Sequence, residues 1–228
     1  MNNLNAPPER ARRKPIAALS LIIGLAVFVL MTAALAAIAE DVHNNEPLTI
    51  TDIKFSNWLH VHHVRWLTTA LWLITSTHSS TVISIVAFPI GLYLWRRRER
   101  FWLAVLWISV YGGNILNKLL KFAFHRTRPK FTDTVQTLTS YSFPSGHTMA
   151  ATVFYGALAM FLISKRPHWP SRIVAAAIAL LMIVLVALSR VYLGAHYLSD
   201  VLAAMAEGMA WVALSLTALA YLWNRRVK

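Results

Sequence analysis

Three short polar segments of this chain hold side chains able to act on an anionic, phosphate-like group: Lys121 to Arg128-Pro129, Pro144-Ser145-Gly146-His147, and Ser189-Arg190 through His196 to Asp200. Lys121 and Arg128 stand seven residues apart, so a continuous helix would carry both on one face, two turns apart, with Pro129 ending it. Pro144-Ser145-Gly146-His147 has the form of a helix start. Ser145 suits the cap position, Gly146 permits close backbone approach, and the free amides and positive dipole end of such a helix suit a phosphate oxygen. His147, in the first turn, can donate a proton. His196 and Asp200 are four apart, the spacing of one helical face, so the carboxylate can take the hydrogen of one ring nitrogen and leave the other free as a nucleophile. Arg190 offers a planar fork of donors matched to phosphate. Two histidines among three cations and a helix N-terminus read as a phosphoryl-transfer site. Metal sites call for paired carboxylates or His and Cys clusters, which these segments lack, and the chain has no cysteine, so neither a metal nor another cofactor is expected.

Bringing these segments together is a matter of topology. Of 228 residues 57% are apolar and only 14% are charged, and mean hydropathy is +0.52, the make-up of a polytopic membrane protein. We read an all-α fold with six transmembrane helices and short interfacial helices between spans one and two. A basic N-terminus, 1–15, precedes a first span from Ile16 to Ala39, read as a retained anchor despite the small-residue pattern at its end. Residues 40–79 form an interfacial segment with Trp58, His60, His62 and His63, followed by a span over about Ser80 to Trp95. The remaining spans cover Phe101 to about Phe124, Ser145 to Ser164, Ile173 to Leu193 and His196 to Trp223. A tail, 224–228, follows.

The formal charge of +13 does not point to nucleic acid, because the basic residues lie between apolar spans instead of forming a patch on a soluble surface. Arg10, Arg12, Arg13 and Lys14, then Arg96 to Arg100, then Lys165, Arg166 and Arg172, and finally Arg225, Arg226 and Lys228 fall on alternate segments. That places 14 of the 22 Lys and Arg on one side, and the positive-inside rule makes it the cytoplasmic side, with both termini there. All three chemical segments then face the opposite side, the periplasm if the membrane is a bacterial inner membrane. Six of the remaining cations, Lys118, Lys121, Arg126, Arg128, Lys130 and Arg190, cluster at the ends of spans three and five and need another reason.

The pattern K-x6-R-P, P-S-G-H, S-R-x5-H-x3-D resembles the signature of the type 2 phosphatidic acid phosphatase family. The match, from 121 to 200, covers about a third of the chain. The resemblance implies a six-span helical bundle and metal-independent hydrolysis through a phosphohistidine, with His196 as nucleophile, Asp200 orienting it and His147 as the acid. Lys121, Arg128, Ser145, the Gly146 amide and Arg190 would hold the phosphoryl oxygens. It implies a membrane lipid phosphate as the partner; undecaprenyl pyrophosphate, phosphatidylglycerol phosphate and phosphatidic acid are all compatible, and oligomeric state is left open. A lipid phosphotransferase using the same phosphohistidine is the near alternative, and an anion or lipid transporter a more distant one. Substrate choice is expected to depend on Glu40 to Ser80 and on the loop from Lys130 to Phe143.

Glu207 lies seven residues beyond Asp200 and about 10 Å deeper along the same span, where an acid needs a partner. Lys118, Asn114 and Asn117 of span three are the candidates, in a supporting role. The three histidines at 60, 62 and 63 are read as interfacial residues, not as a metal site.

Overall fold

The computed structural model describes residues 9–44, 47–131 and 140–226, with side chains from residue 19 to residue 225. Every element in it is helical: α1 (Glu9–Asn44), α2 (Pro47–Val61), α3 (Arg65–Ser76), α4 (Ser80–Arg96), α5 (Arg100–Trp107), a π turn (Ile108–Gly112), α6 (Gly113–Phe124), α7 (Gly146–Lys165), α8 (Trp169–Tyr192) and α9 (Leu198–Arg226). Five segments are long and apolar enough to cross a membrane, namely Leu19–Asn44, Arg100–Phe124, Gly146–Lys165, Trp169–Tyr192 and Leu198–Arg225. A sixth forms if α3 and α4, bent by 54° at their junction, count as one broken span.

The span boundaries differ from the sequence expectation mainly at the first helix, which runs five residues past Ala39 to Asn44 before α2 begins. The segment after span one is therefore helical almost from its start. Ser79 caps α4 by accepting from the Val82 amide, which restarts the helix cleanly after the bend.

The centre of the bundle is α7 against α9. Ala150 and Ala204 are buried there, and a Cβ at Gly208 would lie 2.6 Å from Thr152 Cγ2. Small side chains allow this close crossing, the usual basis of helix association in lipid. α1 packs along α9, α8 along α7, and α4 and α5 close the other flank over Ile83, Ala87, Leu106, Val110, Met149 and Val153. The π turn sits where Gly112 meets Trp211 of α9, whose indole N–H donates to the Ile108 carbonyl at 2.9 Å. Such turns widen the backbone locally, and here the widening accommodates the ring.

Candidate active site

Four helix ends meet at one end of the bundle: the C-termini of α6 and α8 and the N-termini of α7 and α9. Lys121 comes from α6, His147 from α7 and Arg190 from α8, while Arg128, Ser145 and His196 lie in the connections. Each of Lys121, Arg128, Arg190 and His147 is within electrostatic reach of His196. The sequence-predicted residues are thus gathered in one place, although by different local structure in three instances.

Lys121 and Arg128 do not share a helical face. α6 stops at Phe124, where His125 adopts the left-handed conformation (φ 49°, ψ 25°) and its amide bonds back to the Lys121 carbonyl. Histidine is among the non-glycine residues enriched there, and the helix ends five residues before Pro129. The non-helical 125–131 segment then carries Arg128 inward. Its Nη1 donates to the Ala195 carbonyl at 2.6 Å and lies 3.0 Å from His196 Nε2, while Nε donates to the Ser140 carbonyl at 2.7 Å. Lys121 Nζ donates to the Tyr141 carbonyl at 2.8 Å and the Ser142 carbonyl at 3.3 Å.

Ser145 occupies the N-cap position of α7 but its side chain makes no capping bond. Its hydroxyl accepts from Thr148 Oγ1 at 3.2 Å, and its amide donates to the Asp200 carbonyl at 3.0 Å, tying the start of α7 to that of α9. Gly146 is tightly flanked: a Cβ would meet Asn117 Oδ1 at 3.3 Å and Lys121 Cε at 3.8 Å. Ser80 of α4 donates to its carbonyl at 3.4 Å.

His196 and Asp200 do not lie on one helix either. α9 begins at Leu198, so His196 sits in the turn before it and Asp200 in the first helical turn. Asp200 reaches back in the manner of a capping box, accepting from the Tyr197 amide at 3.0 Å, which satisfies an otherwise orphaned donor. The same oxygen lies 3.3 Å from His196 Nδ1 and accepts from the Ser142 hydroxyl. Arginine is a donor only, so the ring nitrogen facing Arg128, Nε2, presents a lone pair and the proton sits on Nδ1 toward Asp200. Burial, followed by the cations Arg128, Arg190 and Lys121, holds the His196 imidazole well below its ordinary value of 6.5.

Arg190 is fully buried and donates from Nη1 to Thr75 of α3 at 2.7 Å. Glu207 is buried deeper along α9 and accepts from Asn117 Nδ2 at 2.9 Å. Asn117 is thus the contact among the three candidates. Lys118 is exposed, and Asn114 donates at 3.5 Å to Ser84. His62 and His63 bond to the carbonyls of Trp58 and Tyr192, and His60 stacks on Phe131. No group of three or more metal-ligating side chains occurs among the described residues. Of the loop expected to influence substrate choice, residues 132–139 lie outside the described residues, as do the terminal residues 1–8 and 227–228.

Sequence reasoning missed Ser142, Thr75, Asp52 and Ser199, and it left Arg126 without a role. Arg126 Nη1 donates to Asp200 Oδ1 at 2.6 Å and to Ser199 Oγ at 2.7 Å, while Nη2 donates to Asp52 Oδ2 at 2.9 Å. The one available signal was a cation just beyond a span end, beside Arg128, that positive-inside counting did not absorb.

Comparison with known proteins places this arrangement in a family. Residues 103–224 match the model of the PAP2 superfamily, and the chain belongs to it. Phosphatidylglycerophosphatase B of Bacillus subtilis is 36% identical over 152 residues, covering 63% of this chain and 71% of that protein. A lipid A 1-phosphatase of Rhizobium etli is 36% identical over 127 residues, and an undecaprenyl-diphosphatase of Sulfolobus acidocaldarius 30% identical over 126, matches that cover 50% and 56% of those proteins. The crystal structure of a transmembrane PAP2-type phosphatidylglycerolphosphate phosphatase from Bacillus subtilis superposes with a TM-score of 0.74 at 28% identity, over 88% of this chain and 97% of that one. The protein is an integral membrane protein with an all-helical fold of this type.

Proposed function

We propose that the chain is a membrane lipid phosphate phosphatase that passes the phosphoryl group first to His196 and then to water. The observation that carries this is the imidazole held between Asp200 at Nδ1 and Arg128 at Nε2, with Lys121, Arg190 and His147 grouped around it. A bound phosphate oxygen takes over the Arg128 N–H now directed at Nε2, which frees the lone pair as it brings phosphorus into line with it. Nε2 attacks, the bond from phosphorus to the lipid oxygen breaks, and His147 gives its proton to that leaving oxygen. Asp200 stabilises the imidazolium character that develops. In the second half, His147 takes a proton from water, the water oxygen bonds to phosphorus, the P–N bond breaks and inorganic phosphate leaves. Lys121, Arg128, Arg190 and the Gly146 amide meet the charge on the equatorial oxygens, and such preorganised donors supply most of the catalysis in phosphoryl transfer. Metal independence is part of the proposal, since these cations and amides already answer the phosphate charge.

The named activities of the relatives share a membrane lipid phosphate or diphosphate. Among the substrates compatible with this site, phosphatidylglycerol phosphate comes first, because the Bacillus subtilis relatives carry that activity in their names. The positive-inside count supports a site at the periplasmic face of a bacterial inner membrane, opposite both termini.

The test is phosphate release by the purified protein in detergent with excess chelator, from phosphatidylglycerol phosphate, undecaprenyl pyrophosphate, phosphatidic acid and a soluble phosphate ester, beside His196→Ala. Release that survives the chelator and disappears in the variant is the expected result. Release that persists in His196→Ala overturns the mechanism. Transfer to a second lipid without release of phosphate turns the assignment to a phosphotransferase.

A further inference from the structure

A buried charged assembly outside the chemistry above joins the interfacial helix α2 to the start of α9. Asp52 of α2 is 1% exposed. It accepts from the Ser199 amide at 2.9 Å, from the Ser199 hydroxyl, and from Arg126 Nη2 at 2.9 Å. Arg126 spans from Asp52 to Asp200, with Nη1 2.6 Å from Asp200 Oδ1, and its guanidinium lies 4.5 Å from the centre of the Tyr197 ring. Its side chain is only 10% exposed, and both ends of its fork are engaged by carboxylates. This cation is therefore not placed as a ligand for substrate phosphate.

We infer that Asp52 and Arg126 are a positioning pair: they fix the direction in which Asp200 presents its second oxygen to His196, and they set how much negative charge Asp200 brings to that contact. The inference rests on His196 being the nucleophile. An arginine placed alone against Asp200 would drain the carboxylate that has to stabilise the charged imidazole. A second carboxylate on the far side of the arginine neutralises it, so Asp200 keeps its orienting bond without losing its charge. The groups that face the two ends of this chain are few. Around His196 stand Asp200, the Ser142 hydroxyl, Arg128, Arg190, Lys121 and His147; around Asp52 stand Arg126, Ser199 and the phenol of Tyr197. Opposite substitutions in the pair therefore have opposite electrostatic consequences at His196, which a purely structural role does not produce. Asp52→Asn leaves an uncompensated cation on Asp200 and disfavours protonation of His196. Arg126→Gln leaves two acids and favours it.

The experiment uses the full chain in detergent and compares wild type, Asp52→Asn, Arg126→Gln, the double variant and Arg126→Lys by pH–rate profile, with the histidine ring titration followed in parallel by ¹⁵N NMR. The expected result is a fall in kcat of about 10- to 100-fold in each single variant, with KM moving far less. The acid limb and the His196 titration should move to lower pH in Asp52→Asn and to higher pH in Arg126→Gln, by roughly half a unit or more, and the double variant should return toward wild type. Where Asp52→Asn does not yield folded protein, Arg126→Lys, which keeps the charge and loses the fork, has to lower kcat without moving the limb. Shifts in one direction for both charge variants, or kcat and limbs that match wild type, overturn the inference. A wild type that releases no phosphate overturns the assigned function instead, and the NMR titration then decides the pair independently.

Discussion

Arg128 Nη1 stands 3.0 Å from His196 Nε2, so in the resting site a phosphate-directed donor covers the nitrogen assigned as nucleophile. The same guanidinium is anchored on the Ala195 and Ser140 carbonyls, which fixes its plane. A flexible ammonium cannot reproduce that fork. Arg128→Lys should therefore lower kcat/KM by roughly 10²- to 10³-fold, the cost of losing one preorganised donor, and should weaken inhibition by inorganic phosphate; steady-state kinetics with added phosphate checks both.

The ionisation of His196 gives a pH prediction with a definite sign. Burial, then Arg128, Arg190 and Lys121, lower its pKa from 6.5, so it stays neutral and nucleophilic as pH falls through the range in which an ordinary histidine charges. The acid limb of kcat/KM attributable to this group should lie below pH 6.5. In the unfolded chain the same histidine takes up a proton near 6.5, so this group's contribution to stability is full above that value and is lost as pH falls below it. Thermal unfolding in detergent between pH 8 and 5 should show the loss.

His147 is assigned to the leaving oxygen, and its removal should matter most where that oxygen is most basic. His147→Ala should lower kcat by about 10²- to 10⁴-fold on a lipid phosphate monoester, and by much less on an aryl phosphate whose leaving group needs no proton. A parallel loss on both substrates would remove the acid assignment.

Glu207 and Asn117 form a buried contact between α9 and α6, 2.9 Å long and away from His196. Glu207→Ala leaves the Asn117 amide without this acceptor, a cost of about 1–3 kcal/mol, whereas Glu207→Gln retains an oxygen that can accept. The alanine variant should melt at a lower temperature in detergent and the glutamine variant should stay close to wild type. Normal stability in Glu207→Ala would remove the supporting role.

Much of this architecture was legible in the residues. Apolar runs of span length marked the helices, and the three polar segments at their ends located the cluster, because burying cations and histidines together has few causes other than a shared anionic ligand. Local geometry was less legible. The spacing of Lys121 and Arg128 suggested a continuous helix, but His125 takes the left-handed conformation without the glycine or asparagine that would have announced it. The spacing of His196 and Asp200 likewise looked helical, whereas the contact is made across a helix start. Asp52 and Arg126 are 74 residues apart in sequence and share no motif; they meet only because α2 packs against α9 and the 125–131 segment after α6 is laid beside both.

The bend between α3 and α4 also bears on the bilayer itself. α4 alone has 17 residues and rises about 25 Å, less than the roughly 30 Å of a typical hydrocarbon core. Its N-terminal Ser80 is bonded to Gly146, so the short side of this hydrophobic mismatch lies level with the cluster of cations. Lipids beside α4 meet a thinner apolar wall, and the bilayer has to thin there or let its head groups settle inward. On the proposed function, a phosphate carried by such a lipid approaches the depth of the site while its acyl chains remain in the leaflet, so phosphate release in vesicles should change with bilayer thickness.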